Sequence, residues 1–308
     1  MKLSIIIPNF NSENTILKTL DSIYSQNLKD FEVIVIDNAS TDNSLDLISK
    51  YPLKIIKLKK NYGASKARNK GISNASGKYL VFIDSDAWFS KNSLKKLVQK
   101  LKKVDIVFPK IIFENKDIFY PNNSIEKKYP HISACFGVKK NSLEKLDELF
   151  DEFYETYLED YDFFMRCNLV KLKAKYIKSS IIIHKNKTSV ADYSNRYYLE
   201  VRNTLYGIKK LGNLPKKTIL YNPFKYSDLT KIVLYGFFNF AWFNWQNNNR
   251  LNFYKKIKTI LFKKNTISKN SFFLKQTKAA FLNIKNNKIK INLKYYATAV
   301  PNMRTAEQ

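Results

Sequence analysis

Gly77-Lys-Tyr-Leu-Val-Phe-Ile-Asp-Ser-Asp86 decides how this chain folds. Lys78–Ile83 is a short run of β-branched and aromatic residues. A glycine precedes it and two acids follow it, the signature of a strand buried on both faces. Upstream, the same kind of run recurs at Leu3–Ile7, Phe31–Ile36 and Leu53–Leu58. Between the runs lie segments with helical spacing: Ser12 to Gln26, with Ser12 as N-cap and Glu13 in the first turn, Ser40 to Lys50, and Ala64 to Ile72. Downstream come a helix over Ser93 to Lys102 and a fifth strand at Asp105–Phe108. Strands alternating with helices predict an α/β domain with a mostly parallel central sheet and helices on both faces. Such sheets bind ligands beyond the carboxyl ends of their strands. Those ends carry Pro8-Asn9, Asp37-Asn38, Asn61-Tyr62-Gly63 and Asp84-Ser85-Asp86.

At the end of the deciding strand, alternation places Asp84 and Asp86 on one side. Two neighbouring carboxylates repel unless a cation lies between them. Mg²⁺ takes oxygen ligands and is commonly shared between carboxylates and substrate phosphates. An Asx turn is the structural alternative for this tripeptide. No glycine fingerprint follows the first strand, and no Walker loop, H-E-x-x-H or G-x-S-x-G occurs anywhere. Dehydrogenase, P-loop, zincin and α/β-hydrolase readings lose their main support.

The chain has 308 residues, with 54 Lys and Arg against 26 Asp and Glu, a formal net charge of +28. A hydrophobic fraction of 44% excludes general disorder. Cys135 and Cys167 form neither a disulfide framework nor a zinc motif, which favours a reducing, cytoplasmic setting. The charge is uneven, because residues 206–308 hold 20 Lys and Arg against Asp228 and Glu307 alone. Nearly every carboxylate available for chemistry therefore precedes Tyr206. The run Leu3–Ile7 is too short for a signal-peptide core. Ile232 to Trp245 is too short for a transmembrane span and reads as an interfacial or core helix.

Four stretches, taken together, carry a resemblance: Ser4-Ile-Ile-Ile-Pro-Asn-Phe-Asn11, Glu32-Val-Ile-Val-Ile-Asp-Asn-Ala-Ser-Thr-Asp42, Asn61-Tyr-Gly-Ala-Ser-Lys-Ala-Arg-Asn-Lys-Gly71 and Gly77–Asp86. In this order and spacing they resemble the serial motifs of family 2 glycosyltransferases, inverting enzymes with the GT-A fold, and His184-Lys-Asn-Lys-Thr-Ser189 followed by Arg196-Tyr-Tyr-Leu-Glu-Val-Arg-Asn203 resembles the tail of rhamnosyltransferase-like members. The resemblance implies that Pro8 and Asn9 line a nucleotide pocket and that Asp37 contacts the base or ribose. It places Arg68 at the nucleotide or its diphosphate, where a guanidinium fork suits phosphate. Asp84 and Asp86 would hold Mn²⁺ or Mg²⁺, joined by His184 after the strand Ser180–Ile183.

Leu149 to Arg166 resembles the family's second acidic segment, which makes Asp160 the catalytic base and Glu159 a substrate-side neighbour. Read from the residues alone, the same run is an acidic helix start. Crowding by Glu159 and Asp162 is expected to raise the proton affinity of Asp160. Asp162 and Arg166 are spaced to pair across one helical turn. Arg196 and Arg202 are weaker candidates for the diphosphate or acceptor. The segment His131 to Val138 matches the acceptor-side motif only loosely.

The expected architecture is a GT-A catalytic domain over 1–205, with a nucleotide half at 1–110 and an acceptor and base half at 111–205. A basic, aromatic, mainly helical extension follows at 206–296, then a tail at 297–308. The expected activity is hexosyl or deoxyhexosyl transfer from a nucleotide-sugar donor to a hydroxyl of a glycan or lipid-linked glycan. The basic extension points to the anionic cytoplasmic membrane face, where polybasic aromatic segments bind. The rival reading is a nucleic-acid- or membrane-binding basic protein with a non-catalytic transferase-like domain. No nucleic-acid-binding motif supports it, and both Asp84 and Asp160 are present.

Overall fold

Strand β1 (Leu3–Asn9) is buried almost along its whole length, and β4 (Tyr79–Ile83) is buried at every position. These two sit at the centre of a nine-stranded sheet, as their uninterrupted apolar sequences require. The computed structural model describes residues 3–121, 132–185, and Leu199, Arg202, Asn203 and Tyr206. The chain divides into two units, Met1–Val190 and Ala191–Gln308. The expected basic extension beyond Tyr206, with Ile232 to Trp245 and the tail, lies outside the described residues. No described helix is long and apolar enough to cross a membrane.

The remaining strands are β2 (Phe31–Asp37), β3 (Lys54–Lys57), β5 (Ala87–Phe89), β6 (Ile106–Phe113), β7 (Ile118–Tyr120), β8 (Cys135–Lys139) and β9 (Ala174–His184). Their order is β3-β2-β1-β4-β8-β6-β9-β5, with β7 paired to β6. The first four are parallel. The expected mostly parallel sheet is corrected beyond them. β8 runs antiparallel to both β4 and β6, and β5 runs antiparallel to β9. The sheet is mixed because β8 and β9 come from the second half of the domain. There the pattern of apolar residues reports burial but not strand direction.

Helix boundaries also differ from expectation. α1 spans Ile16–Tyr24, not Ser12 onward. Ser12 forms a preceding turn instead, its carbonyl accepting Thr15 and Ile16 N–H at 2.9 Å each and its hydroxyl donating to Asn9 Oδ1. Glu13 is not in the first turn, and its carboxylate accepts the Asn43 N–H at 3.1 Å. α2 is only Ser44–Ile48, because the Ser40 hydroxyl accepts the Asn11 N–H at 3.0 Å and holds the chain in a loop. α3 (Gly63–Asn74) and α4 (Ser93–Leu101) follow the expected positions closely. The fifth strand extends to Phe113, since β6 pairs in parallel with β9 along its length.

Beneath the carboxyl ends of the central strands lies an aromatic cluster. Phe82 stacks on Phe136 at 4.6 Å, and Phe150 on Phe163 at 4.2 Å, while Phe164 meets Phe136 edge-on at 5.0 Å. Phe163 and Phe164 belong to α5 (Glu159–Leu169), so this cluster seats α5 against β4 and β8. Aromatic pairs of this kind contribute roughly 0.5–1.5 kcal/mol beyond their buried area.

Candidate active site

Three backbone hydrogen bonds gather the acidic groups. Asp84 N–H donates to Ala134 O at 2.9 Å, Lys185 N–H to Asp86 O at 2.9 Å, and Ala87 N–H to Asp84 O at 3.1 Å. The first draws the segment entering β8 beside Asp84. The second brings the end of β9 to Asp86. The third closes a turn between β4 and β5. Asp84 and Asp86 are thus on one side because a turn folds them together, not because a strand alternates. The turn and the cluster of ligand groups coexist in one tripeptide.

Asp84, Asp86 and His184 each offer a ligand atom, and these atoms lie within 4.8 Å of one another. His184 Nε2 is 3.4 Å from Asp86 Oδ1. Its Nδ1 lies 2.9 Å from the carbonyl oxygen of Lys185, which can only accept, so Nδ1–H is the donor there and Nε2 faces Asp86. The Phe119 ring stands edge-on to the imidazole at 5.3 Å. Two carboxylate oxygens and one oriented imidazole nitrogen suit Mn²⁺, or Mg²⁺ with water making up its shell.

Arg68 links this cluster to the second one. It is 3% exposed, donates through one terminal nitrogen to Glu159 Oε1 at 2.8 Å and through the other to Asp84 Oδ1 at 3.2 Å, and lies 5.4 Å from the Phe150 ring centre. Its Nε and Glu159 Oε2 are buried without a hydrogen-bond partner. Burial, followed by the charge of Asp160, raises Glu159 to about 7, against the opposing pull of Arg68. Burial likewise raises Asp84, with Arg68 opposing and Asp86 adding to the shift.

Asp160 lies in the first turn of α5. Its Oδ2 accepts the Ser133 N–H at 3.1 Å and the Ser133 hydroxyl at 3.4 Å, and its Oδ1 accepts the Tyr161 N–H at 2.8 Å. Its proton affinity is raised, first by burial, with Arg68 and the two N–H donors opposing. Burial rather than crowding by its sequence neighbours is the leading cause. The charge of Asp162 is taken up by Arg166, which is fully buried and contacts it at 2.6 Å, the one-turn pair expected from the spacing. Arg166 also donates to Leu149 O at 2.5 Å and to Glu148 O.

On the other side of the strand ends, Asn9 and Asp37 are buried together. The Asn9 amide donates to Asp37 Oδ1 at 3.0 Å and to the Ser40 hydroxyl at 3.1 Å, while Asp37 Oδ2 accepts the Ser40 N–H at 3.2 Å. Pro8 is half-buried beside them in β1. Phe10, the next residue after β1, is 46% exposed, an aromatic face left in solvent beside polar groups.

The structure brings together Asp84, Asp86, His184, Arg68, Glu159 and Asp160, and separately Pro8, Asn9 and Asp37. Arg196 lies outside the described residues, as does His131. Arg202 is a helical residue of the second unit, and its Nε donates to Asn203 Oδ1 at 2.9 Å. Sequence reasoning assigned no role to Ser133 or Phe10. Nothing in the local pattern marks Ser133, which reaches Asp160 only through the fold. Phe10 carried one legible signal, a large apolar residue just past a strand end.

Comparison with known proteins agrees with this geometry. Residues 4–160, half of the chain, match the family model "Glycosyl transferase family 2". The chain is 38% identical over 104 residues to glycosyltransferase GlyA of Streptococcus pneumoniae, covering 32% of this chain and 15% of that protein. It is 39% identical over 102 residues to the poly(ribitol-phosphate) beta-N-acetylglucosaminyltransferase TarS of Staphylococcus aureus, covering 31% of this chain and 18% of that protein. The matched segment therefore spans less than a fifth of either relative. The crystal structure of S. aureus TarS 1-349 in complex with UDP-GlcNAc superposes with a TM-score of 0.59 at 21% identity, covering 98% of this chain and 82% of that one. The fold is the α/β arrangement of GT-A proteins, with a mixed sheet. With the serial motifs, the clustered acids and the matching family model in agreement, this chain belongs to glycosyl transferase family 2.

Proposed function

We propose that this protein is an inverting glycosyltransferase that moves a sugar from a nucleotide-diphosphate donor to a hydroxyl of a glycan. One observation carries the reading. Asp160, a half-buried carboxylate with raised proton affinity, and the Asp84–Asp86–His184 cluster flank the buried Arg68–Glu159 bridge at one end of the sheet. In this reading Asp160 accepts the proton of the acceptor hydroxyl as that oxygen attacks the anomeric carbon. Ser133 and the Tyr161 N–H hold its carboxylate while it does so. One base acting opposite one leaving group inverts the configuration, and no covalent enzyme intermediate is needed.

Asp84, Asp86 and His184 are the residues that would hold Mn²⁺ or Mg²⁺. Bound there, the ion supplies Lewis acidity toward the departing diphosphate. The Asn9–Asp37 pair and Ser40 form the floor for the base and ribose, and the exposed Phe10 ring is suited to stack on a nucleobase.

The donor to try first is UDP-GlcNAc, since that ligand is named with the structurally similar TarS, while rhamnose remains a second choice from the sequence motifs. Relatives named for poly(ribitol-phosphate) and teichuronic acid make a phosphate- or acid-bearing glycan the favoured acceptor. The basic chain is electrostatically suited to such an acceptor, and also to the anionic cytoplasmic membrane face where a lipid-linked glycan would lie.

The test is turnover of a sugar-nucleotide panel with Mn²⁺ or Mg²⁺. Asp160→Asn is expected to lower kcat by about 10²–10⁴-fold. Asp84→Ala is expected to abolish metal-dependent turnover. Full activity in both variants on the active donor would refute the site.

A further inference from the structure

The chain reaches Asp160 through an unusual approach. Among residues 155–158, three non-glycine residues have positive φ: Glu155 at 57°, Tyr157 at 69° and Leu158 at 68°. Backbone in this region is costly for such side chains and persists where surroundings over-determine it. The surroundings here are α3. Its N-cap residue, Tyr62, makes no side-chain cap; Asn61 Oδ1 accepts the Gly63 N–H at 2.9 Å, and the approach segment satisfies the next two N–H groups. Ala64 N–H donates to the Thr156 hydroxyl at 3.3 Å, and Ser65 N–H donates to Glu155 O at 3.0 Å.

Gly63, at φ 83°, packs its Cα against the Glu155 backbone, and a methyl group there would overlap the Glu155 carbonyl. The same helix grips the segment at two more levels. Asn69 clasps the Phe150 backbone, donating to its carbonyl at 2.7 Å and accepting its N–H at 3.0 Å, and Arg68 binds Glu159 at 2.8 Å. Behind Gly63, the Asn38 amide accepts the Tyr62 N–H at 2.9 Å and donates to Gly63 O at 3.1 Å. Asn38 follows Asp37 directly, so the donor-side strand end holds the turn that holds the approach to the base.

The geometry points to the first turn of α3 as the template that aims Asp160, with Gly63 and Thr156 as positioning residues that touch no substrate. This rests on the reading of Asp160 as the base. A base shifted by a fraction of an ångström loses rate, while donor binding through Asn9, Asp37 and the Asp84–Asp86–His184 cluster, none of which Thr156 is shown to contact, is kept. Thr156 is the cleaner probe, because Thr156→Val keeps the side chain's shape and removes the hydroxyl, and Thr156→Ser keeps the hydroxyl.

The experiment compares wild type, Thr156→Val, Thr156→Ser, Gly63→Ala and Asp160→Asn. It measures kcat and donor KM for UDP-GlcNAc turnover with Mn²⁺, Tm, and amide hydrogen exchange over residues 150–165. Thr156→Val is expected to lower kcat about tenfold with donor KM within about twofold and Tm nearly unchanged. Exchange over 155–160 is expected to rise, and Thr156→Ser to recover both. Gly63→Ala is expected to act in the same direction more strongly, and if it does not fold the Thr156 pair decides alone. Wild-type exchange and kcat in Thr156→Val would overturn the inference, as would a loss that Thr156→Ser does not recover. Retained activity in Asp160→Asn would instead remove the base assignment, leaving the exchange measurement to judge the template.

Discussion

Glu159 shows how far one residue's chemistry depends on its surroundings. In the sequence it is one of three acids in Glu159-Asp160-Tyr161-Asp162. In the fold it is buried between Arg68 and Asp160 and is raised from 4.5 to about 7. A carboxyl with a raised folded-state pKa binds more protons folded than unfolded. Its contribution is therefore fully present below about 4.5 and is lost as pH rises through about 7. Unfolding free energy is expected to fall over that window, and Glu159→Gln to flatten the decline. Denaturant melts at several pH values check this, and an unchanged slope in Glu159→Gln would show that another group controls it. Arg68 was expected at the nucleotide or its diphosphate; the fold buries it as the bridge between Asp84 and Glu159. Spacing in the sequence located this arginine on the right helix but could not show which carboxylates it meets.

At the scale of elements, α5 is placed as much by a buried ion pair as by its aromatic face. Arg166 is fully buried, binds Asp162, and donates to the carbonyls of Glu148 and Leu149. It thereby ties the helix carrying Asp160 to the segment leading into it. Arg166→Met leaves Asp162 buried with its main partner gone, and breaking such a pair costs about 3–5 kcal/mol. A chemical-denaturation midpoint close to wild type in Arg166→Met would refute that role. Both members of the pair were legible from their one-turn spacing. The strand β5 was not, since Ala87-Trp-Phe89 is too short to show alternation and exists because β9 passes alongside. The shortened α1 and α2 have a common cause. Ser12 and Ser40, read as helix starters, bond instead to residues of the β1 and β2 loops, as small hydroxyl side chains often do when a neighbouring strand supplies partners.

For the whole molecule, the balance of charge becomes a statement about ligands. Arg68 alone faces Asp84, Glu159 and Asp160, and Asp86 adds a further negative charge beside Asp84, so a divalent cation between Asp84 and Asp86 relieves repulsion in the native state. Mn²⁺ at about 100 times its dissociation constant is expected to stabilise the fold by about 2.7 kcal/mol. That should appear as a Tm rise of several degrees in wild type and none in Asp84→Ala, with chelator reversing it. An equal rise in both proteins would place the binding elsewhere.

The parallel half of the fold, the approximate places of its helices and the Asp84–Asp86 pair were within reach of the sequence alone, while Asp160 as the proposed base came from the resemblance of its segment to the family's. They rest on local patterns, namely apolar periodicity, strand-end polar groups and motifs in series, and local patterns survive without knowing which segments meet. Tertiary structure alone decided the antiparallel insertion of β8, the junction of His184 with Asp86, the burial of Arg68 between Asp84 and Glu159, and the hold of Ser133 on Asp160. Each joins residues tens of positions apart, and the strength of a charge or hydrogen bond is set by burial and distance, which a linear pattern does not carry.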